Sequence, residues 1–239
     1  LYSLRSVESY LPWIRTIFIV TDGQTPSWLN RRHPKVRLVD HTDIIPSKFL
    51  PTFNSHVIEA YLHKIPDLGE HYIYCNDDFF FTSACYPEDF FTPNGLPHIF
   101  MDWRQSRRDG YTRCDTPHAC SYSNTRNLME ERGIPYDQEI IAAHIAYPQT
   151  RRNADECFSF FRKTIEQFSV NKFRSSNELA FYCHALLIWR FYVKKAVPVD
   201  IPFFYINTLR FDRPTYYRSF LTEKNSADIP LCICLNTVG

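Results

Sequence analysis

Two adjacent carboxylates are the most chemically suggestive feature of the sequence. Asp77 and Asp78 follow Asn76 in the stretch YIYCNDDFFF, between a short β-type run and three phenylalanines. A buried carboxylate without a partner costs several kcal/mol, so this pair must either reach water or hold a cation. A polar turn after a strand satisfies the first condition. A divalent cation shared with the phosphates of a nucleotide satisfies the second, and the sequence leaves both open.

Arg174 is the second candidate, in the stretch NKFRSSNELAFYCHALL. Ser175 followed three residues later by Glu178 is a capping box, which predicts that an apolar helix begins at that point. Arg174 would directly precede this helix, where unpaired backbone N–H groups and the guanidinium could together bind an anion such as phosphate. The alternative for this arginine is a surface salt bridge.

His144 is the third candidate, enclosed by apolar neighbours in the stretch IIAAHIAYP. A histidine in such surroundings is usually a hydrogen-bonded core residue. If it faces the same cleft as Asp78 and Arg174, it could instead act as a base or proton shuttle near neutral pH. Sequence spacing alone does not decide between these two roles.

A zinc site competes with these interpretations. His56, Glu59 and His63 lie at i, i+3 and i+7 of a predicted helix, on the face opposite its apolar stripe. Any amphipathic helix has such a polar face, and a catalytic zinc site needs three well-placed ligands. A solvated helix face is therefore the favoured interpretation of this row.

The elements that must position these residues alternate in the α/β manner. TIFIVT (16–21) and VRLVD (36–40) predict strands, and YIYC (72–75) predicts another. Between them, apolar residues at helical spacing predict a helix over 54–64, with Asn54 or Ser55 as its N-cap. Asp77 and Asp78 would then lie just beyond a strand, at the sheet edge where α/β proteins bind ligands.

We therefore predict an α/β fold in which residues 1–100 form a Rossmann-like sheet and residues 101–239 are rich in helices. The whole chain, 1–239, is expected to be a single catalytic domain fragment. It opens inside a helical pattern without an initiating Met or a signal peptide, so we expect it to come from a longer protein.

Composition narrows the function classes. The formal net charge of +1 gives no overall electrostatic attraction to nucleic acid. No stretch approaches the roughly 20 apolar residues of a membrane span. A local basic cluster could meet an anionic substrate or form a solvated face; it contains Arg104, Arg107, Arg108 and Arg113.

The eight cysteines are irregularly spaced, and Cys232 and Cys234 lack the two-residue gap of a zinc knuckle. We therefore expect free thiols in a reducing, cytoplasmic compartment.

Longer motifs resemble a known family. The runs YSLRSVESYLPWIRTIFIVTDGQTPSWLN, VDHTDIIP, LPTFNSHVIEAYLHKIP and YIYCNDDFFF resemble the second conserved region of the Stealth family, and HIAYPQT and KFRSSNELAFYCHAL resemble its third. The family includes bacterial capsular-polysaccharide polymerases and the α/β subunit of the lysosomal-enzyme N-acetylglucosamine-1-phosphotransferase. The resemblance implies transfer of hexose-1-phosphate from a UDP-sugar to a hydroxyl of a growing capsular polysaccharide, with release of UMP.

The resemblance also implies a GT-A-like nucleotide-sugar fold and a metal, Mg²⁺ or Mn²⁺, held by Asp77 and Asp78. Asn76 would lie beside this metal and the diphosphate, and we expect Asn54 and Asn76 to be the cofactor-binding residues. Expected partners are the UDP-sugar and the polysaccharide acceptor. Peripheral association with the capsule export machinery at the inner membrane is a further expectation.

By the same resemblance, His144 and Arg174 match the catalytic His and Arg of the family. Asp77 or Asp78 is a rival for the general base, so the catalytic set comprises His144, Arg174 and Asp78. A metal-dependent glycosyltransferase that releases UDP is the alternative enzyme. A non-catalytic carbohydrate-binding module would use the many aromatic residues but has no need of paired aspartates.

Two departures from the family limit this transfer of roles. The first conserved region, of the type VYTWVDG, is absent from the sequence. The fourth region usually carries Leu-Asn-Asp, whereas the corresponding residues here are Leu235, Asn236 and Thr237.

Overall fold

The computed structural model describes residues 1–101, 114–134, 142–194, 198–199, 203–207 and 232–236. The predicted basic cluster at Arg104, Arg107, Arg108 and Arg113 lies outside these described residues, as does Thr237.

The first strands and helices follow the sequence pattern closely. Helix α1 (Tyr2–Tyr10) precedes β1 (Ile17–Thr21), which pairs in parallel with β2 (Val36–Asp40). A short helix, α2 (His41–Ile44), follows β2 directly because Asp40 caps it: the Asp40 carboxylate accepts a hydrogen bond from Thr42 N at 2.9 Å. The two strands predicted over 16–21 and 36–40 are confirmed.

The next elements carry the paired carboxylates. Helix α3 (Ser55–Tyr61) continues as a 3₁₀ turn, Leu62–Lys64, and Asn54 is its N-cap. Strand β3 (His71–Tyr74) then leads through a turn that contains Asp77 and Asp78 into β4 (Phe79–Phe81). The predicted helix over 54–64 and the strand over 72–75 are thus confirmed.

The remaining described elements complete a mixed α/β architecture. They are α4 (Pro87–Phe90), β5 (Ile99–Phe100), α5 (Pro117–Glu131), β6 (Tyr147–Thr150), α6 (Arg151–Phe168), α7 (Leu186–Ile188) between the π-helical turns Phe181–Ala185 and Trp189–Val193, β7 (Pro198–Val199), β8 (Phe203–Asn207) and β9 (Cys232–Asn236).

The helix predicted to begin at the Ser175–Glu178 capping box begins later, at Phe181. Half of the box forms, since the Glu178 carboxylate accepts a hydrogen bond from Ser175 N at 2.8 Å. The same carboxylate also accepts hydrogen bonds from Asn54 and His56, which hold it at the start of α3. These tertiary contacts delay the helix, so Arg174 does not precede a helix N-terminus of its own segment.

The described strands form four small sheets. One pairs β1 with β2, one pairs β3 with β6, one has the order β4-β9-β8, and one pairs β5 with β7. The α/β class is confirmed, but the strand before the carboxylates pairs antiparallel with β6. Asp77 and Asp78 do follow a strand, but the Rossmann-like sheet predicted for residues 1–100 is not confirmed, because β3 takes its partner from far along the chain.

The core consists of two groups of buried apolar side chains. The first joins α3, α6 and the helical segment from Phe181, and the second joins β4, β5 and β9. Tyr74 and Tyr192 pack against both groups. Among the described helices, none is long and apolar enough to cross a membrane.

A disulfide corrects the prediction that all the thiols are free. Cys114 and Cys120 are bonded across the start of α5, with their Cα atoms 4.3 Å apart. The N-cap Thr116 turns the chain there, which brings Cys114 back to the first turn of the helix. Among the side chains that the structure describes, five further cysteines lie outside any disulfide: Cys75, Cys85, Cys157, Cys232 and Cys234.

Candidate functional site

Strand register brings three chemically different side chains together. Strand β3 pairs with β6 so that Tyr74 lies opposite Tyr147, which places the segment containing His144 beside the turn after β3. Strand β4 pairs with β9 so that Phe79 lies opposite Cys234, next to Asp78. Backbone pairing thus gathers Asp78, His144 and Cys234 from three distant parts of the sequence.

The ligand atoms of Asp78, His144 and Cys234 all lie within 4.8 Å of one another. The Cys234 thiol donates a hydrogen bond to Asp78 Oδ2 at 3.4 Å. The other carboxylate oxygen, Asp78 Oδ1, is buried and has no hydrogen-bond partner among the described residues. Asp77 is exposed on the same turn, beside the half-buried Asn76. The predicted metal residues therefore differ: Asp78 faces the protein interior and Asp77 faces solvent.

His144 lies between Asp78 and the aromatic core. Its Nδ1 is 3.2 Å from the Tyr147 hydroxyl, and its ring meets the Phe79 ring edge-on at 5.2 Å. Burial lowers the pKa of His144, the negative charge of Asp78 opposes that shift, and the positive charge of Arg174 adds to it. The neutral imidazole is therefore favoured at neutral pH, which is the form that a general base requires.

Cys234 is a thiol rather than a thiolate in this arrangement. Burial raises the pKa of Cys234 well above its usual range, and the nearby negative charge of Asp78 raises it further. The proton kept in this way is the one that Cys234 donates to Asp78. The cysteine thereby orients one oxygen of a carboxylate predicted to be catalytic.

Arg174 is exposed and lies beside the start of α3. Its Nε and Nη2 donate hydrogen bonds to Ser55 Oγ at 3.1 and 2.6 Å. None of the ion pairs among the described residues includes Arg174, so the salt-bridge alternative finds no partner there. The positive charge of Arg174 nevertheless lowers the pKa of His144. The two predicted catalytic residues therefore lie close enough to interact electrostatically.

A buried carboxylate holds the Arg174 loop against α3. Glu178 is fully buried and accepts hydrogen bonds from Asn54 Nδ2 at 2.7 Å, His56 Nδ1 at 2.9 Å and Asn171 Nδ2 at 3.0 Å. Burial raises the pKa of Glu178, but these hydrogen bonds outweigh burial and hold it below its usual value. The ionised carboxylate thus joins two segments at the edge of the site.

Asn54 is part of this connection. Its side-chain oxygen accepts a hydrogen bond from His56 N at 3.1 Å as the cap of α3, and its amide donates to Glu178 and to Phe173 O. The side chain is fully buried. These contacts position α3, and the cofactor-binding role expected for Asn54 stays a prediction, as does that of Asn76.

The expectation that His56, Glu59 and His63 form a solvated face is wrong, because all three are buried. His56 contacts Glu178, Glu59 accepts a hydrogen bond from the Tyr74 hydroxyl at 3.2 Å, and the His63 ring lies 4.9 Å from that of Phe158. In the described part of the chain, their ligand atoms do not converge on one point as those of Asp78, His144 and Cys234 do.

Two features near Arg174 were not anticipated. His118, in the first turn of α5, has its ring 6.0 Å from that of His56, and burial together with the charges of His56 and Arg174 lowers the pKa of His118 to about 4. Phe53 and Phe173, 64% and 69% exposed, stack with their ring centroids 5.5 Å apart. The LPTFNS and KFRSS motifs contain both phenylalanines, but their stacking depends on tertiary structure.

Comparisons with known proteins point in one direction. Residues 1–99 match a family model described as Stealth protein CR2, conserved region 2. Three relatives are named as capsular polysaccharide phosphotransferases. Fcs1 of Haemophilus influenzae is 36% identical over 98% of this chain and 65% of its own length. LcbA of Neisseria meningitidis is 35% identical over 98% and 64%, and cps1A of Actinobacillus pleuropneumoniae is 41% identical over 94% and 62%. The chain therefore spans just under two thirds of the length of these relatives.

Proposed function

The chain belongs to the Stealth protein family, and on that premise we propose that it is the catalytic part of a phosphotransferase in capsular polysaccharide synthesis. The proposed reaction transfers a hexose-1-phosphate from a UDP-sugar to a hydroxyl of the growing polysaccharide. The acceptor oxygen forms a new bond to the β-phosphorus, the bond from that phosphorus to the bridging oxygen breaks, and UMP leaves. The names of the relatives support phosphotransfer, and the donor and leaving group are our proposal.

The observation that supports this proposal most is the proximity of Asp78 to His144. The resemblance gives these residues separate tasks, one at the metal and diphosphate and one in proton transfer, and their ligand atoms lie within 4.8 Å. A proton acceptor must be within hydrogen-bond reach of the group that it deprotonates in the reacting complex. A hydroxyl that approaches a phosphorus near Asp78 would be close to His144 as well.

His144 is the proposed general base. Its pKa is lowered, so the imidazole is ready to accept the hydroxyl proton at neutral pH, and Tyr147 orients the ring. A general base of this kind contributes roughly 10²–10⁴ in rate. Asp78 is the rival base, although its hydrogen bond from Cys234 already occupies one of its oxygens.

Arg174 is proposed to bind the phosphoryl oxygens. Its guanidinium is exposed and two of its nitrogens point towards one hydroxyl, that of Ser55, so a phosphate oxygen could replace or join that contact. A planar fork can contact two oxygens of one phosphoryl group, and charge on these oxygens is what phosphoryl transfer must stabilise. Phe173 directly precedes this arginine in the sequence and stacks on Phe53, and the two exposed rings offer a face to a sugar or base.

Asp77 and Asp78 are the residues that would hold a Mg²⁺ or Mn²⁺ ion. Asp78 fits that role because its Oδ1 is buried and lacks a hydrogen-bond partner among the described residues. Asp77 is exposed at the same turn, where a ligand in solvent can reach its carboxylate. When bound, such an ion neutralises the charge of the donor diphosphate. The GT-A-like fold, the cytoplasmic location and the association with export machinery belong to this same proposal.

A donor screen tests the proposed reaction. The full-length natural protein would be incubated with individual UDP-sugars and a capsular oligosaccharide acceptor, and nucleotide products would be separated by chromatography. We expect UMP and a phosphodiester in the product, both absent with His144→Ala. Release of UDP would instead identify a glycosyltransferase, in which the sugar C1–O bond breaks, and sugar binding without turnover would identify a binding module.

A further inference from the structure

We propose that Asp78, His144 and Cys234 form a binding site for a soft divalent cation of the zinc and cobalt class. Its ligand chemistry differs from that of the Mg²⁺ expected for the transferase, and because it occupies Asp78 and His144, a bound zinc or cobalt ion would block the proposed reaction. The three residues contribute a carboxylate, an imidazole and a thiol, and their ligand atoms lie within 4.8 Å of one another. Three protein ligands with one open position are typical of zinc sites that bind a water or substrate.

The distance between two of the ligand atoms agrees with tetrahedral zinc. Zinc bonds of about 2.3 Å to sulfur and about 2.0 Å to oxygen, at a tetrahedral angle, put the two ligand atoms about 3.5 Å apart. Cys234 Sγ and Asp78 Oδ2 are 3.4 Å apart. A cation could therefore replace the thiol proton between these atoms with little movement of either side chain.

The surrounding structure holds the three ligands in place. Cys234 lies on β9 opposite Phe79, the residue after Asp78, so both ligands are fixed by the same strand pairing. The Tyr147 hydroxyl contacts His144 Nδ1, and with the ring proton on that nitrogen the lone pair is on Nε2. Asp78 Oδ1 is buried, has no hydrogen-bond partner among the described residues, and is thus an unsatisfied acceptor within the group.

The donor set selects the metal. Thiolate and imidazole favour Zn²⁺ and Co²⁺, whereas Mg²⁺ prefers six oxygens and keeps several waters. Binding requires that Cys234 lose its thiol proton to solvent as the sulfur–metal bond forms. No electron transfer is involved. The thiol thus distinguishes this site from a carboxylate pair that holds Mg²⁺.

Cobalt binding tests the proposal without any sugar donor, so the result is independent of whether the transferase proposal holds. Co²⁺ would be titrated into the full-length reduced protein while the thiolate-to-cobalt charge-transfer absorbance is recorded. We expect one equivalent to bind with this band, and a large excess of Mg²⁺ to leave it unchanged. Cys234→Ser should abolish the band and weaken cobalt binding by at least about 100-fold, since even outer-shell changes cost 10–100-fold.

Cys232→Ser is the matched control, because Cys232 is buried on the same strand and is not one of the three ligands. It should keep both the band and the affinity. His144→Gln, at a half-buried position, should weaken cobalt binding without removing the thiol, and provides a second test if Cys234→Ser fails to fold. Absence of the band in the unaltered protein, its persistence in Cys234→Ser, or its loss in Cys232→Ser would each overturn the proposal.

Discussion

At the scale of single residues, Arg174 offers the sharpest test of the proposed phosphoryl site. Its two donors meet at Ser55 Oγ, a geometry available to a planar fork but not to an ammonium group. Arg174→Lys keeps the charge but should lose most of the contact with the phosphoryl oxygens in the transition state. We expect kcat to fall by at least about tenfold, or ~1.4 kcal/mol, with KM for the UDP-sugar much less affected.

The thermal midpoint separates this role from a structural one. Arg174 is exposed, so Arg174→Lys should leave the midpoint nearly unchanged. If kcat is retained while the midpoint falls by several degrees, Arg174 is a structural residue and the phosphate is placed wrongly. Arg5→Lys, on the exposed surface of α1, controls for a general effect of the substitution.

A second prediction at the scale of single residues concerns the carboxylates of Asp77 and Asp78. Turnover should require Mg²⁺ or Mn²⁺, and Asp78→Asn should lower it by orders of magnitude because the amide has lost the charge that a cation needs. Asp77→Asn should also lower turnover if both aspartates hold the ion. The measurement is steady-state turnover in metal-free buffer with excess chelator. Full activity under those conditions would remove the metal from the mechanism.

Residue types and local patterns singled out three residues of the candidate site before any role was assigned to them. Asp78 and His144 stood out because a carboxylate and an imidazole beside apolar runs need a reason, and Arg174 stood out because it directly precedes a capping box. Cys234 did not, because its strand lies far along the chain and only the pairing of β4 with β9 places it at Asp78. Cysteine spacing therefore could not indicate a group built from three different residue types.

At the scale of elements, Glu178 connects the Arg174 loop to the start of α3. Glu178→Gln would replace an ionised acceptor by an amide and leave donors such as Asn54 and His56 poorly paired in a buried place. We expect the free energy of unfolding to fall by about 2–4 kcal/mol. Urea denaturation measures this change, and kcat should fall as well because Arg174 loses its support.

Glu156→Gln on α6 is the matched control for this prediction. Glu156 pairs with Arg152 and Lys194 near the surface, where ion pairs contribute less than about 1 kcal/mol. A similar loss of stability in both variants would show that Glu178 has no special structural role.

The Glu178 carboxylate also explains why the capping box predicted the wrong start of the helix. A capping box predicts a helix from side-chain–backbone hydrogen bonds within four residues. At Ser175 the acceptor is shared with Asn54, Asn171 and His56, so the backbone stays non-helical until Phe181. Local pattern identified the polar residues correctly, but tertiary hydrogen bonds determined what they bind.

The start of α5 gives a prediction about the cysteines. Because Cys114 and Cys120 are bonded, titration of the unfolded, unreduced protein should find two fewer thiols than titration after reduction. Mass spectrometry after alkylation and proteolysis should locate the bond at these two residues. Complete reaction of all thiols before reduction would contradict the disulfide and restore the prediction of a fully reduced protein.

At the scale of the whole molecule, the sequence predicted individual strands far better than their assembly. Apolar runs marked β1, β2 and β3 because burial of one strand is a local property. Their partners are not local: β3 pairs with β6 and β4 pairs with β9, so no spacing rule could reveal the antiparallel setting of the carboxylates. The site depends on these long-range pairings.

The position of Tyr74 leads to a prediction about whether the two core groups unfold cooperatively. Its ring packs against both, 4.5 Å from the Tyr182 ring and 5.9 Å from the Tyr147 ring. Tyr74→Ala would remove this shared ring and leave a cavity where the groups meet, so we expect a loss of about 2–4 kcal/mol of stability. Tyr74→Phe keeps the ring and removes the hydroxyl contact with Glu59, which should cost about 1 kcal/mol.

Unfolding measured separately in each core group tests whether Tyr74 couples them. Trp189 belongs to the first group and Trp13 packs against the second. In a background in which Trp28 and Trp103 are replaced by Phe, fluorescence of the further Trp13→Phe and Trp189→Phe variants reports each group in turn. With Tyr74 present, the two urea transitions should coincide. In Tyr74→Ala they should separate, because the second group loses its ring contact with the first while strand pairing persists. Coincident transitions in Tyr74→Ala would mean that the strand pairings alone make the molecule fold as one unit.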